Sequence, residues 1–169
     1  MKKIFLFLSL FVSLFVFAQN EQLAINYFDK GEFEKAIISF DELLKNQQGN
    51  SFYFQKIIES YQQLQQYDQA DKRLQERYAK YKQASLLVEI GYNYQLQKEA
   101  GKAKKYYDQA VDKINENPSN VYSIANTFEK KVLLDYALES YKLAIKLEPK
   151  FKLITKWLSF MVSRAKWIL

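Results

Sequence analysis

The residues in this chain best placed to do chemistry are its paired carboxylates, because two of them at helical spacing could serve as acid and base. Asp68 with Asp71, and Asp108 with Asp112, each fall on one face of a helix. Lysines stand beside both pairs, Lys72 beside the first and Lys104 and Lys105 beside the second. Ion pairing along outward helix surfaces accounts for that arrangement. Glu32 with Glu34, and Asp41 with Glu42, read as solvated surface in the same way. The chain has no Cys and no His, which removes thiol nucleophiles, disulfides, imidazole bases and nearly all zinc chemistry. It holds no Gly-rich phosphate loop, no nucleophile elbow and no cluster of metal ligands. No catalytic residue, cofactor or metal is therefore expected, and the chain reads as a binder rather than an enzyme.

The elements that position these side chains are helices in pairs. Of the 169 residues, 49% are apolar and 17% aromatic, with only 4 Gly and 2 Pro; that suits one helical domain with short turns. Tyr27, Tyr61, Tyr94 and Phe128 recur at near-equal steps, and around each the apolar residues follow helical spacing. The first pair places Leu23, Ala24 and Tyr27 on one helix face and Phe33, Ala36, Phe40, Leu43 and Leu44 on the next, with Gly31 at the turn, where a left-handed backbone angle costs little. Small residues on first helices (Ala24, Gly91, Ala125) and on second helices (Ala36, Ala70, Ala103, Ala137) let helix axes approach closely, while aromatics fill the surrounding space. Ile58 is the one exception to the small first-helix position.

A period of about 34 residues, four times in register and closed by Pro149, resembles the tetratricopeptide repeat family over residues 19–150. The repeats run at about 20–50, 51–83, 84–117 and 118–150. The resemblance implies an all-α fold, an α-solenoid of about four helix-turn-helix repeats wound as a right-handed superhelix. Its concave groove would be lined by first helices and would hold a protein or peptide. First-helix residues pointing away from the stack are then the candidate partner-binding set: Phe28, Phe52, Gln55, Glu59, Gln62, Glu89, Tyr92, Gln95, Tyr122 and Asn126. Ile25, Asp29, Lys56, Gln63, Val88 and Glu129 are their expected neighbours. The basic clamp with which some members of the family hold a C-terminal carboxylate is missing, since Lys56 is the one cation at those places and Glu89 would repel an anion.

Both ends of the chain depart from the repeat. Lys2 and Lys3 precede an apolar run from Ile4 to Phe17, and Val16-Phe17-Ala18 before Gln19 offers a signal-peptidase site. Residues 1–18 are thus expected to be a signal peptide that exports the protein to the periplasm or cell envelope, or beyond the cell as a secreted protein. Residues 151–169 contain both tryptophans, Trp157 and Trp167, and no acidic residue. They read as an amphipathic capping helix, as a membrane-surface helix, or as a frameshifted fifth repeat, because a shifted back-translated frame restores a first-helix pattern there. On the last reading the chain is a fragment of a longer repeat protein. With Lys2, Lys3, Lys152, Lys156, Arg164 and Lys166 set aside, 19 basic residues face 19 acidic ones. The repeat body is neutral, which argues against nucleic acid as a partner. Membrane contact is expected only through an uncleaved signal segment or the tail. The alternative to a binder is a structural spacer or sensory segment of a larger envelope protein.

Overall fold

A computed structural model describes residues 19–148, and both the expected signal segment and the tail lie outside the described residues. Eight α-helices and no strand are present among the described residues: α1 over 19–29, α2 Phe33–Asn46, α3 Ser51–Gln63, α4 Tyr67–Tyr81, α5 Ser85–Leu96, α6 Ala100–Glu116, α7 Val121–Lys130 and α8 Leu134–Leu147. A short 3-10 turn, Pro118–Asn120, leads into α7. The described residues form two compact units, divided between Ala70 and Asp71.

In the first unit Ala24, Ala36, Ile37, Phe40, Leu43, Tyr53 and Ile57 form the core, with Tyr27, Phe28 and Tyr61 packed on it. Helix α3 begins at Asn50, whose side-chain oxygen accepts the amides of Phe52 and Tyr53 at 3.0 and 3.2 Å, satisfying donors that a helix start leaves open. In the second unit α5 packs on α6 and α7 on α8, while α5 also lies beside α7 and α6 beside α8. Successive pairs stack first helix on first helix and second on second, which is the solenoid arrangement. Ala103, Tyr107, Ala110, Ile114, Val121, Ile124, Ala125, Phe128, Ala137, Tyr141 and Ala144 fill that core. All four second-helix alanines are buried, as their place at the helix contacts requires.

The same turn closes all four first helices. Gly31, Gln65, Lys98 and Val132 have φ of 76°, 57°, 62° and 59°. Around each, the amide donates three residues back, and the following amide donates five back: Gly31 to Phe28 and Glu32 to Tyr27 in the first repeat, Val132 to Glu129 and Leu133 to Phe128 in the fourth. This double bond pattern caps the last helical turn with one residue in the left-handed region. Only the first repeat uses Gly there, so the other three turns carry no sequence signal. Val132 is the costliest of them, being β-branched and 75% exposed. Relief of about 1–2 kcal/mol of left-handed strain, less about 0.5–1 kcal/mol for the extra freedom of Gly in the unfolded chain, gives the expected result for Val132→Gly. Its urea midpoint should rise by the equivalent of roughly 0.5–1 kcal/mol at unchanged slope.

Three sequence expectations are corrected. Leu23 is 45% exposed rather than in the core, because no described helix precedes α1 to cover it. Val88, expected in the groove, is fully buried. Asp71 does not sit on an outward ion-paired surface: its carboxylate accepts the Tyr94 hydroxyl at 3.1 Å and the Gln75 amide at 3.4 Å. The Asp108 expectation matches the structure, with Lys104 2.6 Å away.

Candidate functional site

Helices α1 and α3 bring five side chains of the first unit together. Lys56 lies one turn into α3, with its Nζ 3.8 Å from the centre of the Phe28 ring and 5.9 Å from that of Phe52. A cation over a ring face is attracted to the aromatic quadrupole. The same ammonium pairs with Glu59 Oε2 at 3.0 Å, and the other Glu59 oxygen accepts the Gln55 side-chain amide at 3.2 Å. Phe28, Gln55, Lys56 and Glu59 are half-buried and Phe52 is exposed. Phe52 stands edge-on to Phe40 at 6.2 Å, so the core holds its orientation while one side stays open. The result is a short strip of two aromatic rings around a neutralised ion pair. Such a strip offers apolar area together with donors and acceptors but no net charge. Gln62, also on α3, is buried and takes no part in the strip.

In the second unit the candidate residues separate. Glu89 on α5 is buried, and its Oε2 lies 3.0 Å from Nζ of Lys131, which reaches it from the turn after α7; each side chain is 8% exposed. The approach is an ion pair without an aligned hydrogen bond at that oxygen. The Lys131 ammonium also lies 4.9 Å from the Tyr92 ring centre. Gln95 is exposed, and its Oε1 accepts the Tyr107 hydroxyl at 2.8 Å. Glu129 repeats that bond one period later, accepting from Tyr141 at 2.8 Å. Tyr122 is exposed and Asn126 half-buried on the outer side of α7. Inward ties therefore hold Glu89 and Gln95, whereas Tyr122 presents its ring to solvent.

Two buried cations escaped sequence reasoning. Lys131 stands in a surface-type dipeptide with Lys130 and carries no local sign of burial. Arg77 occupies the register position that Leu43, Ala110 and Ala144 hold in the other repeats, and it is buried. Burial lowers the Arg77 pKa from its ordinary value. That apolar register position was the one signal that could have marked it.

Burial, reinforced by the Asp71 carboxylate, pushes the Tyr94 hydroxyl up to about 12. Burial also raises Tyr107 and Tyr141, with the Glu129 carboxylate adding to the shift at Tyr141. The native chain holds these protons more tightly than the unfolded chain, whose tyrosines titrate near 10. Their contribution is complete below pH 10 and is lost as pH rises from about 10 towards 12 and beyond. Urea midpoints should fall across that range. Tyr94→Phe should flatten the decline between pH 10 and about 12, as tyrosinate absorbance reports the titration.

No family model matches the chain, and no curated protein matches it in sequence. Among solved structures it is similar to the MamA protein, at 18% identity and a TM-score of 0.47, over 90% of this chain and 96% of that one. It is similar to a thermophilic tetratricopeptide protein of Thermus thermophilus, at 22% identity and a TM-score of 0.46, over 83% and 78% of the two chains. It is also similar to a tetratricopeptide repeat protein of Parabacteroides merdae, at 11% identity and a TM-score of 0.47, over 85% and 58%. The chain's own periodicity and packing define its architecture: an all-α repeat protein of stacked helix pairs.

Proposed function

We propose that this protein is a binding scaffold of the cell envelope, holding a peptide or protein partner against the open faces of its first helices. The observation that carries this reading is the strip of Phe28, Phe52, Gln55, Lys56 and Glu59 on α1 and α3. Rigid aromatic rings beside satisfied polar groups are what a partner's anchor residues require. Export rests on Lys2, Lys3 and the apolar run that follows; protein recovered from the envelope should begin at Gln19, and a cytosolic product retaining Met1 would oppose it.

The binding test compares the intact chain with a variant carrying Phe52→Ala, Gln55→Ala and Glu59→Ala. Truncating an anchoring aromatic typically removes about 2 kcal/mol or more, so a partner retained from envelope extracts should bind the variant at least about tenfold more weakly. Equal retention by both chains, or no retention by the intact one, contradicts the proposal. The inward commitment of Glu89 and Gln95 favours a second reading, in which the repeats serve as a spacer. A spacer keeps its cellular role when the strip is blanked.

A further inference from the structure

The first and the last repeat end differently. In the first, Leu23 is 45% exposed, although its register equivalents Ile57, Ile90 and Ile124 are fully buried. In the last, the burial expected of an inner repeat persists. Tyr107 of the third repeat is covered by the repeat that follows it, through Phe128 and Tyr136, with ring centres 5.5 and 4.9 Å away. Tyr141 is its register equivalent, and no described helix follows α8, yet Tyr141 is 0% exposed. A second position on α8 agrees. Asp71 reaches the first helix of the next repeat, accepting from Tyr94 at 3.1 Å. The equivalent residue on α8 is Leu138, apolar, half-buried and packed on the core of the second unit. The face of α7 and α8 that would meet a fifth repeat is therefore apolar and closed to water.

The segment that follows α8 has the length and the pattern to cover this face. Residues 151–169 suffice for one helix of about 28 Å but not for a pair, which takes about 34 residues. In the 34-residue register, Leu158, Ser159 and Val162 stand at the places of Ile124, Ala125 and Phe128, so large, small and large recur in order. The four cations of the segment, Lys152, Lys156, Arg164 and Lys166, avoid those three places. We infer that residues 151–169 dock on the α7–α8 face of their own chain as a fifth first helix, with Val162 over Tyr141 as Phe128 lies over Tyr107. One helix without a second then ends the stack with its cations towards water. In the same register Trp157 and Phe160 take the places of Glu89 and Tyr92, which adds two aromatic residues to the row of candidate partner-binding positions. The inference rests on edge burial and register, independently of the strip on α1 and α3.

Both tryptophans of the chain lie in this segment, so indole fluorescence of the intact protein reports on it alone. In urea the emission should change at the same midpoint as the circular dichroism of the repeats, as one cooperative unit requires. Val162→Asp should give, already in buffer, the emission of the unfolded chain, and should raise the unfolding equilibrium constant at least about tenfold by placing a charge against the apolar face. Arg164→Asp, off the docked positions, should leave both unchanged. The chain has no cysteine of its own, so Leu138→Cys with Val162→Cys gives a second measurement. A short bismaleimide should join the two within one chain, at a yield independent of protein concentration. Equal behaviour of Val162→Asp and Arg164→Asp overturns the inference, as do cross-links formed only between copies. An emission that responds to phosphatidylglycerol vesicles and not to Val162→Asp overturns it in favour of a membrane-surface helix.

Discussion

Lys131→Met is expected to lower folding stability by about 3 kcal/mol, the largest effect of any single substitution considered for this chain. The substitution removes the ammonium that stands 3.0 Å from the Glu89 carboxylate, in a place where both side chains are 8% exposed. The carboxylate stays buried after its cation is gone, and desolvation without that compensation dominates the loss. The aliphatic part of the lysine is replaced at similar volume, so packing against Tyr92 contributes little to the change. The sign reverses in the double variant. With Glu89→Met added, two desolvation terms vanish together, and stability should return to within about 1 kcal/mol of wild type or exceed it. Urea unfolding of the four proteins of this cycle measures the coupling directly. Additive losses would mean that the pair does not act as a unit.

Gly91→Ala should destabilise by about 2 kcal/mol, although alanine is the better helix former. In an open helix the change would stabilise by about 0.5–1 kcal/mol. Here a Cβ at residue 91 would lie 2.5 and 2.6 Å from two ring carbons of Tyr107 and 3.1 Å from the Ala103 carbonyl oxygen. Neither neighbour yields easily. Tyr107 is buried against Phe128 and Tyr136 and tied to Gln95 through its hydroxyl. Overpacking of this kind costs about 1–3 kcal/mol, enough to outweigh the helix propensity. The expected loss appears as a fall of several degrees in melting temperature. Combining Gly91→Ala with Tyr107→Leu should cost less than the sum of the two single changes, because the smaller side chain vacates the space that the methyl group needs.

That pair also accounts for the irregularity at Ile58. The two register positions hold Ala24 with Phe40, Ile58 with Leu74, Gly91 with Tyr107 and Ala125 with Tyr141. The largest first-helix residue coincides with a second-helix residue smaller than an aromatic ring, and the smallest coincides with a tyrosine. Volume is conserved across the pair rather than at either position, as close packing demands. Seen one position at a time, Ile58 breaks the pattern; seen as half of a pair, it obeys it.

The helix pairs, the four buried alanines and the core tyrosines were legible in sequence because each follows from contacts made within one period. Three of the four left-handed turns were not, since Gln65, Lys98 and Val132 advertise no such angle. The capping bonds around them, rather than a glycine, hold the conformation there. The candidate site was legible in part. Phe28, Phe52, Gln55 and Glu59 come together on one face, but the cation that organises them, Lys56, was read only as a neighbour.

Sequence alone determined the period, the alternation of small and large side chains, and the absence of residues for thiol or imidazole chemistry; these depend on residue type and helical spacing. Tertiary structure alone decided which polar first-helix residues face outward. Helical periodicity sets a side chain's direction but not the depth of what lies above it. Glu89 points where a groove residue should, yet Lys131, arriving from the turn after α7, covers it. Tertiary structure likewise set where the neutral repeat body divides, with four basic and eight acidic side chains in residues 19–70 and fourteen basic and eleven acidic in residues 71–148; net charge acts through the surfaces that folding assembles rather than through the total.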